Sequence, residues 1–173
     1  MNKIPNREVE VIDLGKIDYA DALDFQTRKF DEILAVKKEN RERAEDDQLP
    51  TRNYLIFCEH PHVFTLGKSG DEKNLLVRKD DLHTINATYF QINRGGDITY
   101  HGPGQLVVYP IVDLNRVHLG LHDYMRLLEQ AVIDACGVFG MEGRRDPGAT
   151  GVWVQRDEQL AKVAAFGVRV RRW

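Results

Sequence analysis

The sequence predicts an α+β fold, a mixed β-sheet flanked by helices, and three observations carry that prediction. Short β-rich runs recur along the chain, two segments place apolar residues at helical spacing, and the helices fall between groups of strands instead of between every pair. The last pattern favours a mixed sheet over a doubly wound parallel one. The length of 173 residues, with 42% hydrophobic and 29% charged, fits one domain with material for a core and excludes wholesale disorder.

Glu8–Leu14 reads as a short strand. Asp18 follows as a helix N-cap with Asp21 at the third helical position, and Ala22, Leu23, Gln26, Phe30, Ile33, Leu34 and Lys37 form a mainly apolar stripe. Lys37–Pro50 is dense in charge and nearly free of apolar residues, so it reads as a helix end running into a solvated loop. Tyr54–Cys58 and Val63–Leu66 are β-rich runs separated by Glu59-His60-Pro61-His62, and Phe90–Asn93 is a further candidate strand. Leu106–Val112, nearly continuous in apolar residues, reads as a central strand with Pro110 at its end or at a bulge. Tyr124, Leu127, Leu128, Ala131, Val132 and Ala135 give a second amphipathic helix that Gly137 should stop. Gly151–Gln155 and Lys162–Val170 close the chain as strands.

No stretch approaches the roughly 20 apolar residues that span a bilayer, and the first residues have no apolar signal core, so a cytoplasmic protein away from membranes is expected. Cys58 and Cys136 are too few for a disulfide framework and read as reduced thiols. A net charge of −3 argues against a general nucleic-acid binder. The charge is uneven, however: Arg144, Arg145, Arg156, Lys162, Arg169, Arg171 and Arg172 face only Asp146, Asp157 and Glu158, leaving that end +4 and the remainder −7. Such an end either attracts an acidic partner or shows arginines of an edge strand to water.

The most informative segment is Arg94-Gly95-Gly96-Asp97-Ile98-Thr99-Tyr100-His101-Gly102-Pro103-Gly104-Gln105, where twelve residues hold four of the fourteen glycines just before the most apolar run. Glycine removes the Cβ that would hold a ligand off the backbone, and it allows conformations in which several N–H groups converge. The spacing is neither that of a P-loop nor that of a dinucleotide fingerprint. Two tight turns would account for the glycines alone. Turns bracketing Thr99, Tyr100 and His101, with Arg94 and Gln105 at the rims, point to a ligand pocket. Cys58, His60 and His62 alternate as if on one strand face and raise a metal site as an alternative, although Pro61 interrupts the strand and no fourth ligand is evident.

R-G-G-x-x-T-Y-H-G-P-G-Q resembles the signature loop of the lipoyl(octanoyl) transferases, whose fold is related to the lipoate and biotin protein ligases. Glu59-His60-Pro61 with Thr65-Leu66-Gly67, Gly151-Val152-Trp153, and Lys162-Val163-Ala164-Ala165-Phe166-Gly167-Val168-Arg169 resemble further segments of that family, in the same order. The resemblance implies a lipoate/biotin-ligase-like catalytic domain, a single acyltransferase domain over residues 1–173. It also implies transfer of an octanoyl group from octanoyl-acyl carrier protein to a lysine of a lipoyl domain, through a thioester on an enzyme cysteine. The acceptors would be the 2-oxoacid dehydrogenases and the glycine-cleavage H protein, and no metal, nucleotide or other cofactor is required.

By motif matching, Arg94, Gly95, Gly96, Asp97, Ile98, Thr99, Tyr100 and His101 line the acyl pocket, with Ala165, Phe166 and Gly167 adding substrate contacts. Lys162 is the catalytic lysine, favouring the thiolate of the cysteine and relaying protons. In the family that cysteine lies in a Pro-Cys-Gly segment a few tens of residues beyond the lysine. No Pro-Cys-Gly occurs in these 173 residues, and Val168–Trp173 stops in mid-alternation, so the expectation is a C-terminally incomplete domain without its nucleophile. An ATP-dependent lipoate or biotin-type ligase, or a non-catalytic acyl- or carrier-binding module, are the alternatives.

Overall fold

The structure, a computed structural model, describes residues 6, 8–115 and 117–171. It divides into two compact units, the first running to His118 and taking in the segment from Arg169, the second spanning Leu119–Val168.

In the first unit β1 (Glu10–Lys16) pairs in parallel with β2 (Tyr54–Glu59). β2 pairs antiparallel with β6 (Val107–Ile111), giving the order β1-β2-β6. Helix α1 (Tyr19–Glu39) lies on this sheet: Ile33, Tyr54, Ile56 and Ile111 form the buried core, joined by Ile12, Leu14, Phe25, Phe30 and Tyr109. Period-two alternation in β2 explains this, since Tyr54, Ile56 and Cys58 are buried while Leu55, Phe57 and Glu59 are only half so. Asp18 stands at the N-cap as read from sequence, but its side chain makes no capping bond.

One expectation is corrected here. The central strand is β2, and the apolar run containing Pro110 is an edge, because a residue without an N–H is tolerated only where one side of the strand needs no partner. The charged stretch after Lys37 ends the helix at Glu39 and runs exposed from Arg41 to Asp47, as read, while its two ends are held to the fold. Lys37 Nζ lies 2.7 Å from the buried carboxylate of Asp113, and Asn40, only 6% exposed, exchanges hydrogen bonds of 2.9 and 2.8 Å with the backbone of Leu49.

A second three-stranded sheet of this unit carries the glycine-rich segment. β3 (Val63–Leu66) is its middle strand, parallel to β4 (Thr88–Gln91) and antiparallel to β5 (Ile98–His101). β4 begins two residues earlier than the Phe90–Asn93 reading. Thr99-Tyr100-His101 is therefore strand and not free loop: only Gly95–Asp97 and Gly102–Gln105 turn the chain, Gly96 and Gly104 at φ +92° and +84°.

In the second unit, α2 (Leu121–Val138) contacts an antiparallel sheet of β7 (Gly143–Asp146), β8 (Ala149–Arg156) and β9 (Gln159–Ala164). Gly137 does not stop the helix. Gly140, at φ +73°, does so through a Schellman motif in which Met141 N–H reaches Cys136 O and Gly140 N–H reaches Gly137 O, both at 3.0 Å. The face expected to be buried is partly wrong: Leu127, Ala131 and Ala135 are exposed, while Glu129 and Cys136 are the buried residues. The last strand ends at Ala164, so Ala165–Arg171 has no regular structure where a strand to Val170 was expected; Arg172 and Trp173 lie outside the described residues.

Candidate active site

In the first unit the register of β4, β3 and β5 sets Phe90, Thr65 and Thr99 in one row and Thr88, Val63 and His101 in the next. Thr65 and Val63 are fully buried at 0% and 1%, so this sheet face is covered. Tyr19, at the start of α1, supplies part of the cover, its ring 5.0 Å from Phe90, 5.3 Å from His60 and 6.3 Å from His101, the last pair stacked.

Arg94 reaches the same face from the turn before β5. Its Nη2 donates to Thr65 O at 2.9 Å and Thr65 Oγ1 at 2.7 Å, and its Nη1 donates to Gly95 O at 3.1 Å. The guanidinium thus holds its own glycine turn against β3. Lys68 N–H donates to Arg94 O at 2.9 Å, Gly67 N–H to Asp97 O at 3.3 Å, and Asp71 N–H to Asp97 Oδ1 at 3.2 Å; Asn74 also donates to Asp97. Gly67 has no alternative: a Cβ there would collide with the carbonyl of Gly96 and lie 2.9 Å from Arg94 Nη1.

His101 Nδ1 lies 2.6 Å from Gln105 Oε1, an acceptor, so this nitrogen carries the proton. Burial lowers its pKa below 6.5 against the hydrogen bond to Gln105, which raises it, with the neighbouring His60 and Arg94 adding to the lowering. At neutral pH His101 is therefore uncharged, and its Nε2 is an acceptor. His60, 1% exposed, donates from Nδ1 to Ile17 O at 2.8 Å and accepts at Nε2 from the Tyr109 hydroxyl at 2.8 Å. Burial pushes the Tyr109 phenol far up and that of Tyr19 to about 12, the latter opposed by the charge of Arg94, so both are donors at neutral pH. Tyr100 points to the other face, where its hydroxyl meets His62 Nδ1 at 2.5 Å. A Cβ on Gly102 would strike the Tyr100 phenol, so a side chain at position 102 would push that ring off its place beside His62.

Neither cysteine is poised to attack. Cys58 is buried, its thiol pushed up to about 11 by burial and by the charge of Asp13, and Cys136 is buried in α2. Cys58 Sγ sits 3.5 Å from His60 Nε2, but His62 is turned to Tyr100. Among the described residues no three His, Cys, Asp or Glu side chains gather as a metal site would need. A concavity of about 470 Å³ beside His60 mixes charged walls, from Lys16, Asp18, Asp21 and Glu59, with apolar ones, from Ile17, Pro61 and Pro103.

In the second unit Lys162 lies on β9 opposite Trp153, its Nζ 4.6 Å from the centre of that buried ring and 3.4 Å from Thr150 O. Ala165, Phe166 and Gly167 follow directly after β9 in chain without regular structure. Of the basic residues of this end, Arg145 in the second unit pairs with Glu129, and Arg169 in the first unit lies 5.4 Å over Phe30. Sequence reasoning missed Tyr19, Phe90, Tyr109 and Glu129. Only Thr65 carried a signal, in its place before Leu66-Gly67.

Residues 18–173 match the lipoyl protein ligase A/B catalytic domain. The chain belongs to this family. Among similar proteins, one named octanoyltransferase from Christiangramia forsetii is 52% identical over 97% of this chain and 71% of its own length. Another so named, from Cytophaga hutchinsonii, is 48% identical over 100% of this chain and 72% of its own. A solved lipoate protein ligase from Thermoplasma acidophilum, described as bipartite, superposes with a TM-score of 0.56 at 17% identity over 85% of this chain and 51% of that one. At that identity the likeness shows the fold: an α+β domain of lipoate-ligase type. Among the described residues no helix is long and apolar enough to cross a membrane.

Proposed function

We propose that this chain is the acyltransferase of protein lipoylation, moving an octanoyl group from octanoyl-acyl carrier protein to the lysine of a lipoyl domain in the cytoplasm. The reading is supported most by 52% identity to an octanoyltransferase along nearly the whole chain, coupled with the neutral His101 over a buried, threonine-lined strand face. In this reading residues 1–173 act as one catalytic domain, the segment Arg94–His101 receives the thioester on the face of Arg94, Thr99 and His101 and not on that of Tyr100, and Ala165–Gly167 add contacts.

The reaction is two acyl transfers. A cysteine thiolate attacks the octanoyl thioester carbonyl, the carrier thiolate leaves and takes a proton, and the acceptor amine then attacks the enzyme thioester, forming an amide and restoring the thiol. Lys162 lowers the pKa of that cysteine and carries protons between incoming and leaving groups. Backbone N–H groups of the glycine turn hold the oxyanion. No Pro-Cys-Gly, the segment in which the resembled family carries that cysteine, occurs in the 173 residues, and the two cysteines that are present are buried. The lipoyl domains of 2-oxoacid dehydrogenases and of the glycine-cleavage H protein are the acceptors.

The test uses the 173-residue chain itself. Octanoyl-acyl carrier protein should protect it from heat, ATP with lipoate should not, and intact mass should show no octanoyl adduct on Cys58 or Cys136. Protection by ATP with lipoate alone would favour a ligase, and an adduct would contradict the absence of the nucleophile.

A further inference from the structure

The second unit buries a carboxylate for which the reaction above has no use. Glu129, in the middle of α2, is 1% exposed. A buried charge persists only when its hydrogen-bonding capacity is filled, and here it is. Oε1 accepts the backbone N–H of Gly151 at 3.0 Å, and Oε2 accepts Arg126 Nη1 at 2.6 Å and Arg145 Nε at 3.2 Å. Burial pushes this carboxyl up, but those donors outweigh it and hold it below the ordinary value. Arg145 then donates to Arg126 O and Gln130 Oε1, so one carboxylate fastens α2 to β7 and β8.

The point it grips on β8 is where pairing with β9 is irregular. The register slips between Val152, opposite Ala164, and Trp153, opposite Lys162. Gly151 there has φ +144°, and a Cβ on it would stand 2.8 Å from Ala164 O, 3.1 Å from the Trp153 ring and 3.2 Å from Lys162 Cε. The methylene stem of Lys162 thus lies in the notch that Gly151 leaves open, with its ammonium over Trp153.

We infer that Glu129 is a positioning residue for Lys162: by holding the Gly151 N–H it fixes the bulge against which the lysine stem rests, and so sets where the ammonium stands. The functional weight of this rests on the reading of Lys162 as the proton carrier, but the positioning can be measured without activity. Reductive methylation with ¹³C-formaldehyde gives each lysine an NMR signal, and the one missing after Lys162→Arg is that of Lys162.

In the unaltered chain that signal should be displaced upfield by the Trp153 ring. Glu129→Gln, which keeps an acceptor for Gly151, should retain the displacement. Glu129→Asp, which keeps the charge for both arginines but withdraws it from Gly151, should return the signal to that of an exposed lysine, as should Glu129→Ala. If Glu129→Ala fails to fold, Glu129→Asp decides. A folded Glu129→Asp chain with the Lys162 signal unmoved overturns the inference. A Lys162 signal that stays unmoved while octanoyl-pantetheine binds would instead remove the catalytic reading of the lysine and leave Glu129's hold on it intact.

Discussion

Substituting Gly67 by alanine adds one methyl group where the structure has no room for it. The new Cβ would overlap the carbonyl oxygen of Gly96 and stand 2.9 Å from both Gly96 C and Arg94 Nη1. Two of these three atoms are main chain, so no rotamer change relieves the clash, and the Gly95–Asp97 turn must move off β3. Overpacking of this kind costs about 1–3 kcal/mol, and the main-chain obstruction places this case toward the upper end. At about 2–4 °C per kcal/mol for a chain of this size, Tm should fall by roughly 4–12 °C. The displaced turn carries Arg94 away from Thr65, so binding of octanoyl-pantetheine should weaken along with stability. Thermal unfolding by circular dichroism and calorimetric titration with the thioester measure both. A Gly67→Ala chain with unchanged Tm and unchanged binding would refute the claim that Gly67 exists to let the glycine turn lie against β3.

Gly137→Ala should do the opposite, since nothing lies within 4 Å of its Cβ position and it is helical; a gain of about 0.5–1 kcal/mol in urea unfolding is expected, and a loss would contradict the helix assignment there. Because burial lowers the His101 pKa below 6.5, the unfolded chain takes up this proton at a higher pH than the folded one. Its share of stability is therefore intact above about pH 6.5 and declines as the pH falls below that, and His101→Asn should flatten the decline in urea midpoints measured across this range. With its thiol near 11, Cys58 is ionised to about one part in a thousand at pH 8, so it should resist iodoacetamide in the folded chain and react once unfolded; rapid native alkylation, read by peptide mass, would contradict its burial.

What the sequence shows well is local. The alternation of Tyr54–Cys58, the stripe from Ala22 to Lys37 and the run Val63–Leu66 are set by neighbours in the chain, and the structure places strands and a helix there. Thr99–His101 reads as loop because of its glycine-rich setting, yet pairing with β3, more than 30 residues away, makes it a strand. Such pairing leaves no mark in a local window. Pro110 held the clue to an edge strand, outweighed by the apolar run around it.

Glu129 is the plainest miss. On a helical wheel a glutamate belongs to water, and only the convergence of Gly151, Arg126 and Arg145, brought together by the fold, makes its burial tolerable. Arg94 and His101 are singled out as candidates by their glycine context, whereas the aromatic cover of Tyr19 and Phe90 comes from distant segments that carry no motif.

The claim on which the functional reading stands is that the β5 face around Thr99 and His101 receives the acyl thioester. Labelling the six histidines with ¹³C and titrating the chain with octanoyl-pantetheine tests it directly. A saturable shift of the His101 ring signals, absent with ATP and lipoate, is predicted. A His101 signal that stays still while the thioester binds, as shown by calorimetry, would contradict it.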